Sequence, residues 1–402
     1  MHQTRTGDQN LVKALNKAIV LNILRSLSPI SRASIAKVSG LNKATVSALV
    51  DELIGEHMVL ELGPGESSGG RRPQLLMMNE RAGVAVGVEL GVDYMLVVLL
   101  DLKAKVLWRR RVSQDHRAGP AACLDRMGGL IRQGLNSVPP APRGLLGVGV
   151  GVAGLVDHHL GRLLYAPNLH WEDVPVRDWL QERMQVPVVV DNEANAGAVG
   201  ELWAGIAAGV RDFVFLSAST GLGAGIVLNR ELYRGRGGVA GELGHCTIDV
   251  SGPVCSCGNR GCWEIFASEQ ALRQHLARLV TDTSALAKTA SSQLTTDVVV
   301  GAAQQGDSAA MTALSIVGEY LGVGIANVIN TFNPELVVIG GGLAAGGAYI
   351  LNPARQAVES RALAHPRGDV RIALSGLGHE AGAIGAGALV LQDHFRLPVV
   401  AV

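Results

Sequence analysis

Apolar residues recur at helical spacing through the first part of the chain. Leu11, Leu15, Ile19, Ile23 and Leu27 form one stripe and predict a first helix over 8–27. Ser31 suits the N-cap of a short second helix through Val38, because its hydroxyl can accept a hydrogen bond from an unpaired amide of the first turn. Ser39-Gly40 breaks that helix. Asn42 can cap a third, from Lys43 to about Glu56. There Val46, Leu49, Val50, Leu53 and Ile54 face inward, leaving Lys43, Ala44, Thr45, Ser47 and Ala48 on the outer N-terminal turns.

Two short helices joined by a glycine-containing turn make a helix-turn-helix, whose second helix offers side chains to base edges. Strand signals at Val59–Leu62 and Gln74–Met78 flank GPGESSGGRRP. The segment reads as a winged helix with Arg71 and Arg72 at the wing tip, aimed at phosphates or the minor groove. The candidate DNA contacts are Ser31, Arg32, Asn42, Lys43, Ala44, Thr45, Ser47, Arg71 and Arg72. A small helical oligomerisation module would share part of this pattern. The turn glycine, the polar outer face and the Arg-bearing loop together favour the DNA reader.

From Ala82 the pattern changes to strands. AVGVEL, MLVVLLDL and VLWRRRV form a meander, a helix follows over about 121–136, and LLGVGVGVAG returns as a strand. This order repeats after Val188 and again near Phe213, and it resembles a two-lobed actin-like architecture. Such folds hold small ligands between their lobes.

Composition narrows this picture. At roughly 150 residues per domain, 402 residues predict two or three domains. The 51 glycines and few aromatics suit an α/β protein with tight strand-to-helix turns. The longest uncharged apolar run, Leu336 to Leu351, is Gly-rich and shorter than the ~18 residues of a spanning helix, so no membrane segment is expected. The start, MHQTRTGDQN, has no apolar core, so a cytoplasmic, reducing location is expected. Net charge is zero, yet residues 1–50 carry seven Lys/Arg against one acid, Asp8. A basic end on a neutral chain suggests a local polyanion contact, although a solvated helical surface would look the same.

Chemistry concentrates in GELGHCTIDVSGPVCSCGNRGCWE, residues 241–264. His245, Cys255, Cys257 and Cys262 lie between two acids, Glu242 and Glu264. A Cys3His set suits tetrahedral Zn2+ and leaves no open position, so the ion would be structural. Buried inert thiols are the alternative. A Cys255–Cys257 disulfide is disfavoured by their closeness along the chain.

These residues carry a family resemblance. GELGH followed by CSCGNRGCWE resembles the signature of the ROK family of repressors, open-reading-frame proteins and sugar kinases. STGLGAGI (219–226) and NEANAGAVGE (192–201) resemble other blocks of it. SPISRASIAKVSGLNKATVS, SSGGRRP, GVDY, APNLHW and NTFNPE resemble its xylose-responsive repressor branch. The resemblance implies an α/β protein with an N-terminal winged helix-turn-helix (1–80) followed by a two-lobed actin-like, sugar-kinase-like ATPase fold. The lobes would be 81–191, joined by a C-terminal helix over 380–402, and 192–379 with the zinc knuckle. It also implies a sugar site of Asn168, Asn192, Glu193, Glu242, His245 and Glu264. One ring nitrogen of His245 would ligate zinc and the other would meet a sugar hydroxyl. The implied partners are a near-palindromic operator, a small sugar effector (D-xylose) and a second copy of the chain, as a homodimer or higher homo-oligomer.

The family's kinases carry a DIGGT-like phosphate turn and an Asp base. Here the turn is ELGVDY (89–94), with Val92 in place of a glycine and Asp93 adding negative charge. Both changes disfavour a bound phosphate. Glu193 stands where the base would be, as a vestigial position. The expectation is therefore a sugar-gated repressor and no enzyme. A sugar kinase with an accessory DNA-binding domain and a repressor that senses a partner protein are the competing readings.

Overall fold

The computed structural model describes residues 9–64 and 72–396. Its first unit contains α1 (Gln9–Leu27), β1 (Ile30–Ser31), α2 (Arg32–Ser39), α3 (Lys43–Gly55), β2 (Val59–Pro64) and β3 (Gln74–Met78). The strands form an antiparallel sheet in the order β1-β3-β2. Ser31 caps α2 by accepting from the Ser34 amide at 3.1 Å, and Asn42 caps α3 by accepting from the Thr45 amide at 2.8 Å. Gly40 ends α2 with φ +72°, a left-handed conformation that glycine adopts without a steric penalty.

The apolar face of α1 differs from the expected stripe. Val20, Leu21 and Leu24 are buried, Leu11, Leu15, Ile19 and Ile23 are only partly so, and Leu27 is exposed. A spacing of four outruns the 3.6-residue turn, so such a stripe drifts off the buried face over the length of the helix. The core of this unit continues without a break into Leu96, Val98 and Leu100 of the first lobe and into the last helix of the chain.

The first lobe holds β4 (Val84–Leu90), β5 (Tyr94–Leu100), β6 (Val106–Ser113), α4 (Pro120–Leu135), β7 (Leu145–Val152), β8 (Leu155–Asp157), β9 (Arg162–Ala166), β10 (Trp171–Val174), α5 (Val176–Met184) and β11 (Val188–Asn192). Its main sheet runs β11-β7-β4-β5-β6, antiparallel through the meander and parallel at β4–β7 and β7–β11. α6 (Glu193–Ala204) leads to the second lobe. That lobe holds β12 (Phe213–Ala218), β13 (Leu222–Leu228), β14 (Glu231–Leu232), α7 (Glu269–Leu279), α8 (Thr296–Gln304), α9 (Ser308–Phe332), β15 (Leu336–Gly340), α10 (Ala348–Arg361), α11 (Ala364–Asp369) and β16 (Arg371–Leu374). Its sheet, β14-β13-β12-β15-β16, repeats the same succession of antiparallel and parallel pairs. This duplicated pattern is the actin-like fold expected from the strand order.

The run Leu336–Leu351 is divided among β15, a turn and the start of α10. By length and composition α9 is apolar enough to cross a membrane, with a mean hydropathy of 1.5 over its richest window. It is a core helix: Leu314, Val317, Leu321, Ile325 and Ile329 are fully buried in the second lobe.

The last helix, α12 (Ala381–Phe395), lies on β4 and β7 of the first sheet, while α6 lies on β12 and β13 of the second. The two helices cross in backbone contact. A Cβ at Gly385 would run into the Ala196 carbonyl, and one at Gly200 would lie 2.5 Å from the Ala381 carbonyl oxygen. The Ala/Gly composition of both helices therefore sets how closely the lobes approach.

Candidate functional site

A cleft of about 430 Å³ opens between the lobes. The first lobe contributes Glu89, Tyr94, Tyr165 and Asn168, the junction of β11 and α6 contributes Asn192, Glu193 and Asn195, and the second lobe contributes Ser219, Thr220, Glu242, His245 and Glu264. All six residues of the expected sugar site line this one cleft, although they lie on four separate segments of the chain.

Glu193 is the first residue of α6. Burial pushes its carboxyl up to about 8, and the nearby Glu89 and Glu242 carboxylates add to the rise. Glu89 is 8% exposed and is also raised by burial, with the Tyr94 hydroxyl donating to it. Burial raises Glu242 too. At neutral pH the Glu193 carboxyl therefore holds its proton and can both donate and accept a hydrogen bond.

Asn192 differs from its expected role. Its Oδ1 accepts from the amides of Ala194 (2.8 Å) and Asn195 (3.2 Å), and its Nδ2 donates to the Gly154 carbonyl (3.0 Å) and Glu193 Oε2 (2.8 Å). Four bonds fill the capacity of an amide. Asn192 caps α6 and orients Glu193, with nothing left to offer a ligand. Asn195 was not anticipated. It is 3% exposed, its Nδ2 donates to Asp191 Oδ1 at 3.0 Å, and its Oδ1 has no donor among the described residues. Its spacing three residues after Asn192 places it on the same face of α6, a signal available in NEAN.

The second wall hangs on the knuckle. The ligand atoms of His245, Cys255, Cys257 and Cys262 all lie within 4.8 Å of one another. Cys255 Sγ is 3.7 Å from His245 Nδ1, and Cys257 Sγ is 3.7 Å from Cys262 Sγ. A tetrahedral ion with bonds of about 2.3 Å spaces its ligands by about 3.8 Å, so this donor set can hold a metal. His245 Nε2 is left facing Glu242. Glu264 Oε2 accepts from the Leu222 amide at 3.3 Å. Between Cys262 and Glu264, Trp263 is buried and donates from Nε1 to the Tyr320 carbonyl at 2.8 Å, which anchors the loop to α9.

A loop between β14 and the knuckle crosses to the first lobe, a contact the sequence did not suggest. Arg234 Nη1 pairs with the buried Asp191 Oδ2 at 2.5 Å, and a Cβ at Gly238 would lie 2.9 Å from His158 Nδ1.

The turn after β4 is filled by its own side chains. Tyr94 packs over Gly91, where a Cβ would lie 2.6 Å from the ring, and the Arg111 guanidinium stacks on the Tyr94 ring at 4.1 Å.

On the helix-turn-helix, Asn42, Lys43 and Ala44 are exposed, and Thr45 and Ser47 partly so. Two candidates are positioned differently from expectation. Ser31 is buried, with its hydroxyl used as the cap. Arg32 is drawn back onto Asp51 (2.7 Å) and Glu61 (3.2 Å). Lys13 and Lys17 pair with Glu52. Three of the seven cations of the first 50 residues, Lys13, Lys17 and Arg32, are thus paired inside the unit. Arg72 is exposed, and Arg71 lies outside the described residues.

The sequence profile of the ROK family matches residues 85–393. This chain belongs to the ROK family. The ROK protein is 39% identical to the xylose repressor of Bacillus subtilis over 389 residues, covering 97% of this chain and 98% of that one. Among solved structures, it is similar to a ROK family transcriptional regulator described as a homologue of the Escherichia coli MLC protein. There the TM-score is 0.81 at 29% identity, covering 96% and 97% of the two chains. It is also similar to a ROK family glucokinase from Streptomyces griseus in complex with glucose and AMPPNP. There the TM-score is 0.71 at 30% identity, with 76% of this chain and 99% of that one covered.

Proposed function

We propose that this protein is a sugar-responsive transcriptional repressor that binds operator DNA through its winged helix and a small sugar, D-xylose, in the interlobe cleft. The observation that carries this reading is one chain that joins a helix-turn-helix to a cleft of converging carboxyls and imidazole. Full-length likeness to a xylose repressor supports D-xylose over other sugars.

In this reading Glu193, Glu242, His245, Glu264 and Asn168 take the sugar hydroxyls, with Asn195 Oδ1 as a further acceptor and Asn192 holding Glu193 in place. Zinc is the ion that the Cys3His set would hold, and its part is structural. The chain is read as three units, 1–80, 81–191 with the final helix, and 192–379, with the core of the first unit running across its boundary. Asn42, Lys43, Ala44, Thr45 and Ser47 form the DNA face, with Arg71 and Arg72 at the wing. A homodimer would set two such faces on half-sites about one helical turn apart. The protein is read as a non-enzyme, because Tyr94 fills the turn in which a kinase would seat phosphate.

The test is a gel-shift titration of a DNA duplex selected by this protein, with D-xylose, glucose and N-acetylglucosamine. D-Xylose is expected to shift operator affinity at the lowest concentration. No response to any of the three would overturn the sensor role.

A further inference from the structure

Both hinge helices begin in the cleft. Glu193 is the first residue of α6, and Gly382, the second residue of α12, packs on Glu89, where a Cβ would meet the Glu89 carboxyl. The two helices cross in backbone contact, so neither can tilt at the crossing without carrying the other. At about 1.5 Å per residue, they carry the cleft's geometry some 18–22 Å away.

Their far ends meet the DNA-reading unit along α1, and one side chain there touches both helices. The Arg25 guanidinium on α1 lies 4.4 Å from the ring of Trp203, near the end of α6, and 5.2 Å from the ring of Phe395, the last residue of α12. The two rings are 5.9 Å apart. Beside them Asn22 donates from Nδ2 to the Phe395 carbonyl at 2.8 Å. Among the described residues Arg25 has no carboxylate within ion-pair reach, so the two aromatic faces are the partners of its charge. From α1 the connection continues to the recognition helix: Lys13 and Lys17 each lie 2.7 Å from Glu52 of α3.

We propose that Arg25 is the positioning residue through which a change at the cleft reaches the DNA-reading helix. A joint shift of α6 and α12 moves Trp203 and Phe395 together. The guanidinium resting against both rings follows, and α1 carries α3 with it. Coupling requires a two-state element that both ligands bias, and the pair of hinge helices is that element. The inference rests on the reading that sugar binds in the cleft.

The experiment measures two affinities on full-length chains. Sugar binding is read by calorimetry with D-xylose, glucose and N-acetylglucosamine. Binding to a selected DNA duplex is read by fluorescence anisotropy, with and without saturating sugar. In the unmodified protein sugar changes DNA affinity by a factor in the usual allosteric range of about 5–150. Arg25→Ala keeps the sugar affinity and the sugar-free DNA affinity, while that factor collapses towards one. Arg25→Lys, which keeps a cation over the rings, restores much of it. Trp203→Leu removes the opposite side of the contact and lowers the factor likewise, which keeps the test decisive if Arg25→Ala folds poorly. An undiminished factor in both variants overturns the inference while leaving sugar sensing intact. An unmodified protein that binds no sugar, or binds it without any effect on DNA, overturns the sensing reading and the inference with it.

Discussion

His245 Nε2 sits 3.9 Å from Glu242 Oε2. The other ring nitrogen points back into the thiol cluster, so a metal ion there would fix both the orientation of the imidazole and the nitrogen left facing the cleft. Outer-shell arrangements of this kind commonly change affinity by about 10–100-fold. Removal of the metal with a chelator, or Cys262→Ser, is expected to abolish bound zinc and weaken D-xylose binding by at least about tenfold. The checks are metal analysis and calorimetry on the same sample. Unchanged sugar affinity in metal-free protein would break the link between knuckle and cleft.

Glu193 makes stability depend on pH in a definite direction. Its folded-state value of about 8 exceeds the ordinary 4.5 because the carboxyl is buried. Between those values the folded chain holds a proton that the unfolded chain has released. Stability therefore falls as pH rises through that window, by up to about 1.4 kcal/mol per pH unit, and levels off above it. Glu193→Gln keeps the shape and removes the ionisation. It is expected to match the unmodified protein near the lower end of the window and to exceed it in melting temperature at the upper end. Parallel melting curves across the window would show that Glu193 is ionised in the folded state.

The division between what was legible in the sequence and what was not follows the range of the interactions. Caps and turns are local, so Ser31, Asn42 and Gly40 could be read from neighbouring residues. The knuckle and its two acids fall within 24 consecutive positions, so the donor set was legible too. The buried face of α1 was not, because Val20, Leu21 and Leu24 are selected by packing against a core that extends into β5 and α12. Arg32 reads as a surface cation until α3 brings Asp51 beside it. Asn192 reads as a ligand residue until its four internal hydrogen bonds are counted. Arg234 and Asp191 are 43 positions apart, and nothing local in either segment points to the other.

Phosphoryl transfer is disfavoured by two independent features of the cleft. Tyr94 occupies the turn with its ring over Gly91 and its hydroxyl on Glu89. A carboxyl held at about 8 is largely protonated at neutral pH, and a protonated group cannot accept the hydroxyl proton as a general base. Sugar-dependent ADP release from ATP and D-xylose or glucose is therefore expected to stay at background. Turnover well above background would reverse the assignment to a non-enzyme.

The cations of the helix-turn-helix should separate into two classes by salt dependence. Each phosphate contact that releases a counterion steepens the dependence of log affinity on log salt by about 0.9. Lys43 is exposed at the first turn of α3, at the open N-terminal end of the helix. Lys43→Ala is expected to weaken operator binding and flatten the slope by about one. Arg32 is already neutralised by Asp51 and Glu61, so Arg32→Ala should leave the slope unchanged. Its cost should appear as lower stability of the unit, within the ~1 kcal/mol of a partly exposed pair. Anisotropy titrations of the three proteins across a salt series decide the matter. If Arg32→Ala flattened the slope as much as Lys43→Ala, Arg32 would have to leave its carboxylates for DNA.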